Sequence, residues 1–222
     1  MKASAVIVAA GKGTRMGADK NKVFLELMGK TILEWTVDVF ENASCIDEIV
    51  IVTNDIEGAG DLFKDYKKVA SITAGGETRQ ESVKNGLLVA TGDIAVIHDG
   101  ARALILEKEI VAAIEATEKY GAAAVGVKSK DTLKKADKDG FIVKTVDREF
   151  IYNIQTPQVF KMAEIRKMHK LADDNSFTDD CGLAESFGAR IKIVEGSYDN
   201  IKITTPDDME IAKKILKNRR SL

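Results

Sequence analysis

The chain has 222 residues and is 45% hydrophobic, which is enough to bury one substantial core in the upper size range of a single α/β domain. Its 33 lysine and arginine residues are balanced by 35 aspartate and glutamate residues, so the net charge of -2 excludes a general attraction to nucleic acid or to an anionic membrane. We therefore expect residues 1–222 to form one domain whose affinity for phosphate, if any, is local.

The longest apolar runs, at residues 3–10 and 122–127, are far shorter than the roughly 20 residues that cross a bilayer. Residues 1–10 contain one basic residue and lead straight into a glycine loop, so they predict a core strand and not a signal peptide. The two cysteines, Cys45 and Cys181, cannot make a disulfide framework and lack metal-ligand spacing. These features predict a cytoplasmic protein with ordinary thiols.

Short apolar runs recur along the chain, each beside a segment with helical spacing. The first, at residues 5–10, ends at Gly11 and indicates a strand that is buried on both faces of a parallel sheet. Comparable runs follow at residues 49–52, 94–97, 122–127 and 191–194. This alternation predicts an α/β fold with a Rossmann-like, mostly parallel sheet flanked by helices.

The predicted helices carry their own start and stop signals. Capping boxes, or an N-cap followed by proline, are found at Thr31 with Glu34, at Thr78 with Glu81, and at Thr205 with Pro206. Gly121 and Gly188 predict the ends of two helices. Residues 106–120 have apolar side chains along one stripe and charged ones opposite, which is typical of a surface helix packed on a sheet.

Residues 128–148 interrupt this alternation. They are rich in charge, have a turn signal at residues 137–140 and are flanked by two short β-type runs, so they predict a projecting β-hairpin arm within approximately residues 128–151. The polarity of this arm is compatible with a solvated loop or with an arm that reaches a partner subunit.

Residues 9–17, Ala-Ala-Gly-Lys-Gly-Thr-Arg-Met-Gly, follow the first strand, where a doubly wound sheet presents its ligand crevice. Glycines let main-chain N–H groups approach phosphate oxygens, and Arg15 and Lys22 add the positive charge that a triphosphate requires. A dinucleotide fingerprint needs glycine where Met16 stands, and a P-loop needs Gly-Lys followed by Ser or Thr, so neither pattern is met. The loop predicts phosphate binding, with a plain turn carrying scattered basic residues as the alternative.

This loop, continued by Asn-Lys-Val-Phe-Leu at residues 21–25, resembles the signature of sugar-phosphate and polyol-phosphate nucleotidyltransferases. Motifs of the 2-C-methyl-D-erythritol 4-phosphate cytidylyltransferase family are matched, in order and over nearly the whole chain, at residues 75–82, 98–102, 131–134, 145–148, 155–158 and 199–202. The resemblance implies a homodimeric enzyme of the non-mevalonate isoprenoid pathway that depends on Mg²⁺, or on another divalent cation. Its substrates would be CTP and the polyol phosphate, and its products a cytidine diphosphate derivative and pyrophosphate.

In that reaction a phosphate oxygen of the acceptor attacks the α-phosphorus of CTP, and pyrophosphate leaves on the opposite side. No protein nucleophile is required, so positioning and electrostatic stabilisation carry the catalysis. We therefore expect cations to dominate the site.

The resemblance implies catalytic roles for four cations. Arg15 and Lys22 would stabilise the pentavalent phosphorus and the departing pyrophosphate, whereas Arg148 and Lys202 would hold the phosphate of the acceptor. If the arm crosses to a second subunit, each site takes Thr132 and Arg148 from its neighbour. The alternatives are solvated surface cations for the first pair and a simple charge pair in the arm.

The remaining site residues divide between the nucleotide and the acceptor. The resemblance implies CTP contacts at Ala9, Ala10, Gly11, Gly13, Gly76, Glu77 and Ser82. Asp99 follows an apolar strand and so falls at the carboxyl end of the sheet, where Mg²⁺ can be shared between carboxylate and phosphate oxygens; a turn cap is the alternative. Arg102, Thr132 and Asp199 are expected in the acceptor or metal region.

Three positions depart from the family pattern. Asn21 stands where the family usually has proline, and Gly100 and Ala103 stand where it usually has alanine and proline. We therefore expect a less rigid loop at Asn21 and a looser turn around Gly100. Both histidines, His98 and His169, are expected in structural roles.

Two other functions share part of this pattern. A ribitol 5-phosphate cytidylyltransferase has the same loop and the motifs at residues 155–158 and 200–202, but residues 131–134 and the Ala-Ala-Gly at residues 9–11 favour methylerythritol phosphate. A non-catalytic nucleotide-binding module is the other alternative, and the presence of all four catalytic cations speaks against it.

Overall fold

A computed structural model of the chain describes residues 1–11, 21–172 and 177–220. The strands are β1 (Ala3–Val8), β2 (Glu26–Leu27), β3 (Lys30–Thr31), β4 (Glu48–Val52), β5 (Val69–Thr73), β6 (Ile94–Asp99), β7 (Ala122–Lys128), β8 (Lys134–Ala136), β9 (Ile142–Thr145), β10 (Tyr152–Lys161) and β11 (Lys192–Glu195). The helices are α1 (Ile32–Asn42), α2 (Ile56–Phe63), α3 (Arg79–Val89), α4 (Glu107–Tyr120), α5 (Met162–Leu171), α6 (Asp180–Ser186) and α7 (Pro206–Arg220), and a 3₁₀ turn spans Lys22–Phe24.

Seven strands form one twisted sheet in the order β11-β7-β10-β6-β1-β4-β5. Strand β1 pairs in parallel with β4 and β6, so their carboxyl ends meet at one edge of the sheet. All five predicted strands are present, and the prediction of a mostly parallel α/β sheet is confirmed. Strands β5 and β10 were not predicted. Strand β10 runs antiparallel between β6 and β7, because the chain returns from the arm without a crossover helix.

The core has two large parts, one on each face of the sheet. Neighbouring β1 residues Val6 and Ile7 belong to different hydrophobic clusters, as the alternation of side chains along a strand requires. Helices α1, α2 and α4 contribute to the cluster around Ile7, whereas α3, α5 and α6 contribute to the cluster around Val6. A third, smaller cluster packs α7 against β2 and the start of α1.

The helix signals of the sequence are found where they were predicted. Thr31 accepts a hydrogen bond from the N–H of Glu34 (3.1 Å), and the Glu34 carboxylate accepts one from the N–H of Thr31 (2.6 Å), which completes a capping box. The capping box of α3 is also formed, and α7 begins at Pro206. Helix α4 ends at Gly121, whose φ of 94° favours glycine.

The predicted arm is an antiparallel hairpin formed by β8 and β9. Both hairpin strands are exposed, and large apolar side chains are uncovered on the hairpin and near the end of the arm: Phe141 is 72% exposed, and Ile142, Val143 and Phe150 are similarly uncovered. Within the described part of the chain, no helix is both long and apolar enough to cross a membrane.

Candidate active site

A pocket of about 410 Å³ opens at the carboxyl end of β1 and β6. This is the crevice in which open α/β sheets bind their ligands, and it is where the glycine-rich loop was predicted to act. Its lining consists of Val8, Ala9, Ala10, Gly11, Asn21, Lys22, Val23, Asn54, Gly76, Glu77, Thr78, Arg79, Ser82, Asp99, Ala101 and Lys202. The predicted residues Gly13 and Arg15 lie outside the described residues.

Two asparagine amides hold the main chain that follows β1. The Asn21 amide donates to the carbonyl of Ala9, and the Asn54 amide donates to the carbonyl of Ala10 (3.1 Å). The Asn21 side chain also accepts from the N–H of Val23 (3.4 Å), which begins the 3₁₀ turn that presents Lys22 to the pocket. The rigidity expected to be lost with the proline is therefore supplied by hydrogen bonds that proline cannot make.

Residues 75–82 form the second wall. A Cβ atom at Gly75 would lie 2.1 Å from the Cβ of Ala10, so glycine is what allows this loop to pack against the loop after β1. The N–H of Gly76 donates to the hydroxyl of Ser82 (3.0 Å), which in turn donates to the carbonyl of Thr78 (2.9 Å). Ser82 thus fixes the shape of the wall at the start of α3.

Asp99 ends β6 and is surrounded by cations. Its Oδ1 lies 3.3 Å from Nε of Arg79, and its Oδ2 lies 2.8 Å from Nζ of Lys202 and 3.7 Å from Nε of Arg102. Burial alone would raise the pKa of the Asp99 carboxyl, but these three cations hold it well below its ordinary value. The ionised carboxylate leaves a local surplus of positive charge, which suits a site for phosphate groups.

The turn after Asp99, where a looser chain was expected around Gly100, is held by three hydrogen bonds. The N–H of Gly100 donates to the carbonyl of Val8 (2.8 Å), and its carbonyl accepts from the hydroxyl of Thr36 (2.9 Å). The turn is closed by the N–H of Arg102, which donates to the carbonyl of Asp99 (3.0 Å). Close packing on both sides replaces the rigidity of an alanine and a proline.

His98 supports the site from inside the sheet. Burial lowers its pKa to about 4, so the ring is neutral at physiological pH. Its Nε2 lies 3.2 Å from the carbonyl of Arg102, which can only accept, so Nε2 carries the proton of the neutral ring. Its Nδ1 therefore accepts from the hydroxyl of Thr156 (3.1 Å), which itself accepts from the N–H of Asp99 (3.1 Å). This contact network is structural.

Lys202 is placed by its neighbours in sequence and by the motif at residues 155–158. The Asn200 amide is buried and donates to the carbonyl of Thr156 (3.0 Å) and to the side chain of Gln155 (3.2 Å). The Arg102 guanidinium donates to the carbonyl of Asn200 (2.7 Å). Two motifs that are 45 residues apart in the chain are thereby joined beside Asp99.

Several predicted site residues lie outside the pocket lining. Arg102 contacts Asp99 but does not line the pocket. Thr132 is exposed on the arm, and the exposed Arg148 donates to the carbonyl of Lys130. The Asp199 carboxylate lies 3.6 Å from Nη2 of Arg219 and not in the lining. Within one chain, the structure therefore brings Lys202 into the pocket without Arg148.

Sequence reasoning missed Arg79. It lines the pocket and contacts Asp99, and its Nη1 donates to Asp180 (2.8 Å). Its position in the sequence could have indicated a site residue, because it is the first residue of a helix that begins just after the glycine pair at residues 75–76. Asp180 had no such signal, since an acidic residue in the first turn of a helix is ordinary.

Comparison with known proteins agrees with this geometry. The sequence model of the 2-C-methyl-D-erythritol 4-phosphate cytidylyltransferase family matches residues 3–218. The enzyme of this name from Caldanaerobacter subterraneus is 47% identical to the chain over 98% of the chain and 100% of its own length. The one from Clostridium novyi is 46% identical over 96% of the chain and 96% of its own length. The crystal structure of 4-diphosphocytidyl-2C-methyl-D-erythritol synthase from Anaerococcus prevotii superimposes with a TM-score of 0.87 at 35% identity, covering 97% of this chain and 96% of that one. The chain belongs to the 2-C-methyl-D-erythritol 4-phosphate cytidylyltransferase family.

Proposed function

We propose that the pocket at the carboxyl end of the sheet performs the reaction of this family. The chain is a cytidylyltransferase of isoprenoid biosynthesis, which joins the cytidylyl group of CTP to 2-C-methyl-D-erythritol 4-phosphate and releases pyrophosphate. The observation that carries the assignment of the site is the surplus of positive charge around Asp99, in a pocket walled by glycine-containing loops. Both substrates are anions, so this surplus lowers the cost of bringing them together.

The proposed roles of the cations follow from their positions in the site. Lys22 stands beside the loop after β1, and with Arg15 it would hold the triphosphate and stabilise the leaving pyrophosphate. Lys202 would bind the phosphate of the acceptor. Asp99 holds the Lys202 ammonium at 2.8 Å before substrate arrives, so little reorganisation is needed during the reaction.

The proposed cytosine site is the wall formed by the two loops. Residues 9–11 and 76–77 present main-chain groups, and Ser82 fixes the second loop. A pyrimidine is small, so recognition has to come from hydrogen bonds to its edge and not from bulk.

The family implies Mg²⁺, and the donor set fits a cation that enters with CTP. Among the described residues, no group of three or more His, Cys, Asp or Glu side chains is arranged to hold a metal. Asp99 offers one carboxylate at the pocket, but both of its oxygens already contact cations, so Mg²⁺ that enters with CTP would be bound mainly by phosphate oxygens and water. Bound in this way, Mg²⁺ would neutralise part of the triphosphate charge.

The proposed assembly is a homodimer formed through the arm. Phe141, Ile142 and Val143 on the hairpin and Phe150 near the end of the arm are exposed among charged residues, as apolar side chains at protein–protein contacts are before association. Thr132 and Arg148 are on the same arm and outside their own pocket lining, so a partner's pocket is the site that they would complete.

Mixing two inactive variants tests this assembly. Arg148→Ala and Lys202→Ala subunits would give a heterodimer in which one site has both cations, so random mixing should restore about a quarter of wild-type activity. If each site used its own Arg148, every site would lack a cation and mixing would restore nothing.

The reaction itself is tested by pyrophosphate release. We expect turnover with Mg²⁺, CTP and 2-C-methyl-D-erythritol 4-phosphate, little turnover with UTP or with ribitol 5-phosphate, and loss of turnover in Arg15→Ala. A preference for ribitol 5-phosphate would contradict the assigned acceptor and leave the mechanism intact. Absence of turnover with every pair would contradict the proposed function.

A further inference from the structure

One buried carboxylate next to the site has no part in the mechanism described so far. Asp180 begins α6 and is 1% exposed. Its Oδ2 accepts from Nη1 of Arg79 (2.8 Å), and its Oδ1 lies 3.3 Å from Nε2 of His169. Its N–H donates to the side chain of Gln158 (3.0 Å). Asp180 is therefore fixed by contacts with β10, α3 and α5.

This carboxylate continues a chain of alternating charges that leads into the pocket. Asp180 contacts Arg79, Arg79 contacts Asp99, and Asp99 contacts Lys202. Burial alone would raise the pKa of Asp180, but the Arg79 guanidinium and the His169 ring lower it, so Asp180 is ionised. A buried charge is costly unless it is paired, and here its partner is the guanidinium that adjoins the pocket.

We propose that Asp180 is a positioning residue for the transfer reaction, which acts by holding Arg79 so that Asp99 stays available to Lys202. Arg79 uses only Nε toward Asp99, and its Nη2 is buried without a hydrogen-bond partner among the described residues. If Asp180 lost its charge, Arg79 would turn Nε and Nη2 onto Asp99 together, because a forked contact is stronger than a single one. Lys202 would then compete for the same carboxylate and lose its position.

The inference rests on the proposed role of Lys202 in binding the acceptor, and it predicts a selective defect. Asp180→Asn keeps the shape of the side chain and removes its charge. We expect the KM for 2-C-methyl-D-erythritol 4-phosphate to rise roughly tenfold, the scale of one charge-assisted hydrogen bond, while the KM for CTP changes less than about twofold. An equal change in both KM values, or in neither, would overturn the proposal.

A double-mutant cycle separates positioning from a merely structural role. If Asp180 acts through Lys202, adding Asp180→Asn to Lys202→Ala should scarcely raise the dissociation constant for 2-C-methyl-D-erythritol 4-phosphate, which is measured by direct binding because Lys202→Ala is expected to be inactive. Additive losses would overturn the proposal. Turnover of the wild type is measured first, because an inactive wild type would contradict the proposed function. If the wild type is active and the Asp180→Asn variant has unchanged kinetics, only the positioning role is overturned.

Two further variants guard against a misfolded Asp180→Asn protein. Arg79→Lys keeps the positive charge but lacks the fork that reaches both carboxylates, so it should show the same selective rise in the acceptor KM. The matched control is Glu48→Gln, which removes another buried carboxylate at the opposite end of the sheet. It should lower stability and leave both KM values unchanged, and an Asp180→Asn protein that behaved like it would overturn the proposal.

Discussion

Two buried carboxylates lie at opposite ends of the parallel strands and are stabilised in different ways. Glu48 begins β4 and accepts hydrogen bonds from the hydroxyl of Ser4 and from both the N–H and the hydroxyl of Thr91. One cation, the half-exposed Lys2, lies 3.3 Å away. Asp99 ends β6 and has three cationic side chains within 4 Å.

The two carboxylates differ in the kind of group that stabilises them, which is mostly neutral at Glu48 and cationic at Asp99. Mostly neutral donors form hydrogen bonds to Glu48, so little positive charge near it is available to bind an anionic ligand. Burial would raise the pKa of Glu48, but the hydrogen bonds from Ser4 and Thr91 lower it to about 2. At Asp99 three cations surround one carboxylate, and two of them, Arg79 and Lys202, line the pocket. We infer that the first carboxylate stabilises the fold and that the second holds cations in place for phosphate.

Removal of the charge at Asp99 should have the largest effect. In Asp99→Asn, the three surrounding cations lose their shared partner and Lys202 loses its fixed position. We expect kcat/KM to fall by about a hundredfold or more, as when a preorganised stabilising group is lost, and the free energy of unfolding to fall by roughly 3 kcal/mol. Pyrophosphate release and urea unfolding measure the two effects. A loss of activity below tenfold would contradict the role assigned to Asp99.

The matched change at the other end of the sheet should affect stability alone. Glu48→Gln keeps the side chain's size but turns an acceptor of several hydrogen bonds into an amide that also needs acceptors. We expect the free energy of unfolding to fall by about 3 kcal/mol at pH 7, with kcat/KM within about twofold of the wild type. A large loss of activity in a folded Glu48→Gln protein would remove the contrast between the two carboxylates.

The pH dependence of stability should isolate Glu48. Its pKa is about 2 in the folded protein against 4.5 ordinarily, so the unfolded chain takes up the proton first as the pH falls. The stabilisation is fully present above pH 4.5 and is lost as the pH falls toward 2. The difference in unfolding free energy between the wild type and Glu48→Gln should therefore shrink by about 3 kcal/mol between pH 7 and pH 2. A difference independent of pH would show that the charge of Glu48 contributes nothing.

Much of the fold could be predicted because its signals are local. Apolar runs gave the parallel strands β1, β4, β6, β7 and β11 but not β5, and threonine caps gave the starts of α1 and α3. The position of Asp99 was predictable as well, since a residue that ends a buried parallel strand falls at the ligand edge of the sheet. These features depend on a few neighbouring residues.

What could not be predicted depends on contacts between distant parts of the chain. The insertion of β10 between β6 and β7 is a choice of strand partner that no local pattern encodes. Asp180 lies 101 residues from Arg79 in the chain, and nothing near either residue indicates that they meet. The contacts of Asn21 could not be predicted for the same reason, because only the missing proline is visible in the sequence and not the carbonyl of Ala9 that its amide binds.

We expect the smallest change in activity from a substitution at Asn21. This residue tests the contrast between neutral donors and cations, because it is a neutral donor at the end of the sheet where the pocket opens. Its amide holds the carbonyl of Ala9 and starts the turn that carries Lys22. We expect Asn21→Ala to raise the KM for CTP about three- to fivefold, the value of one net hydrogen bond, with little change in the acceptor KM.

The control variant is Asn21→Pro, which suits the backbone conformation at this position. Asn21 has a φ of -56°, which a proline ring accepts, so Asn21→Pro should replace the lost hydrogen bond by restricting the chain and recover most of the CTP affinity. Steady-state kinetics of both variants measure this. If Asn21→Ala matched the wild type, neutral donors at this end would be dispensable, and the surplus of cations alone would define the site. If Asn21→Pro were weaker than Asn21→Ala, the loop would depend on the asparagine amide and not on rigidity.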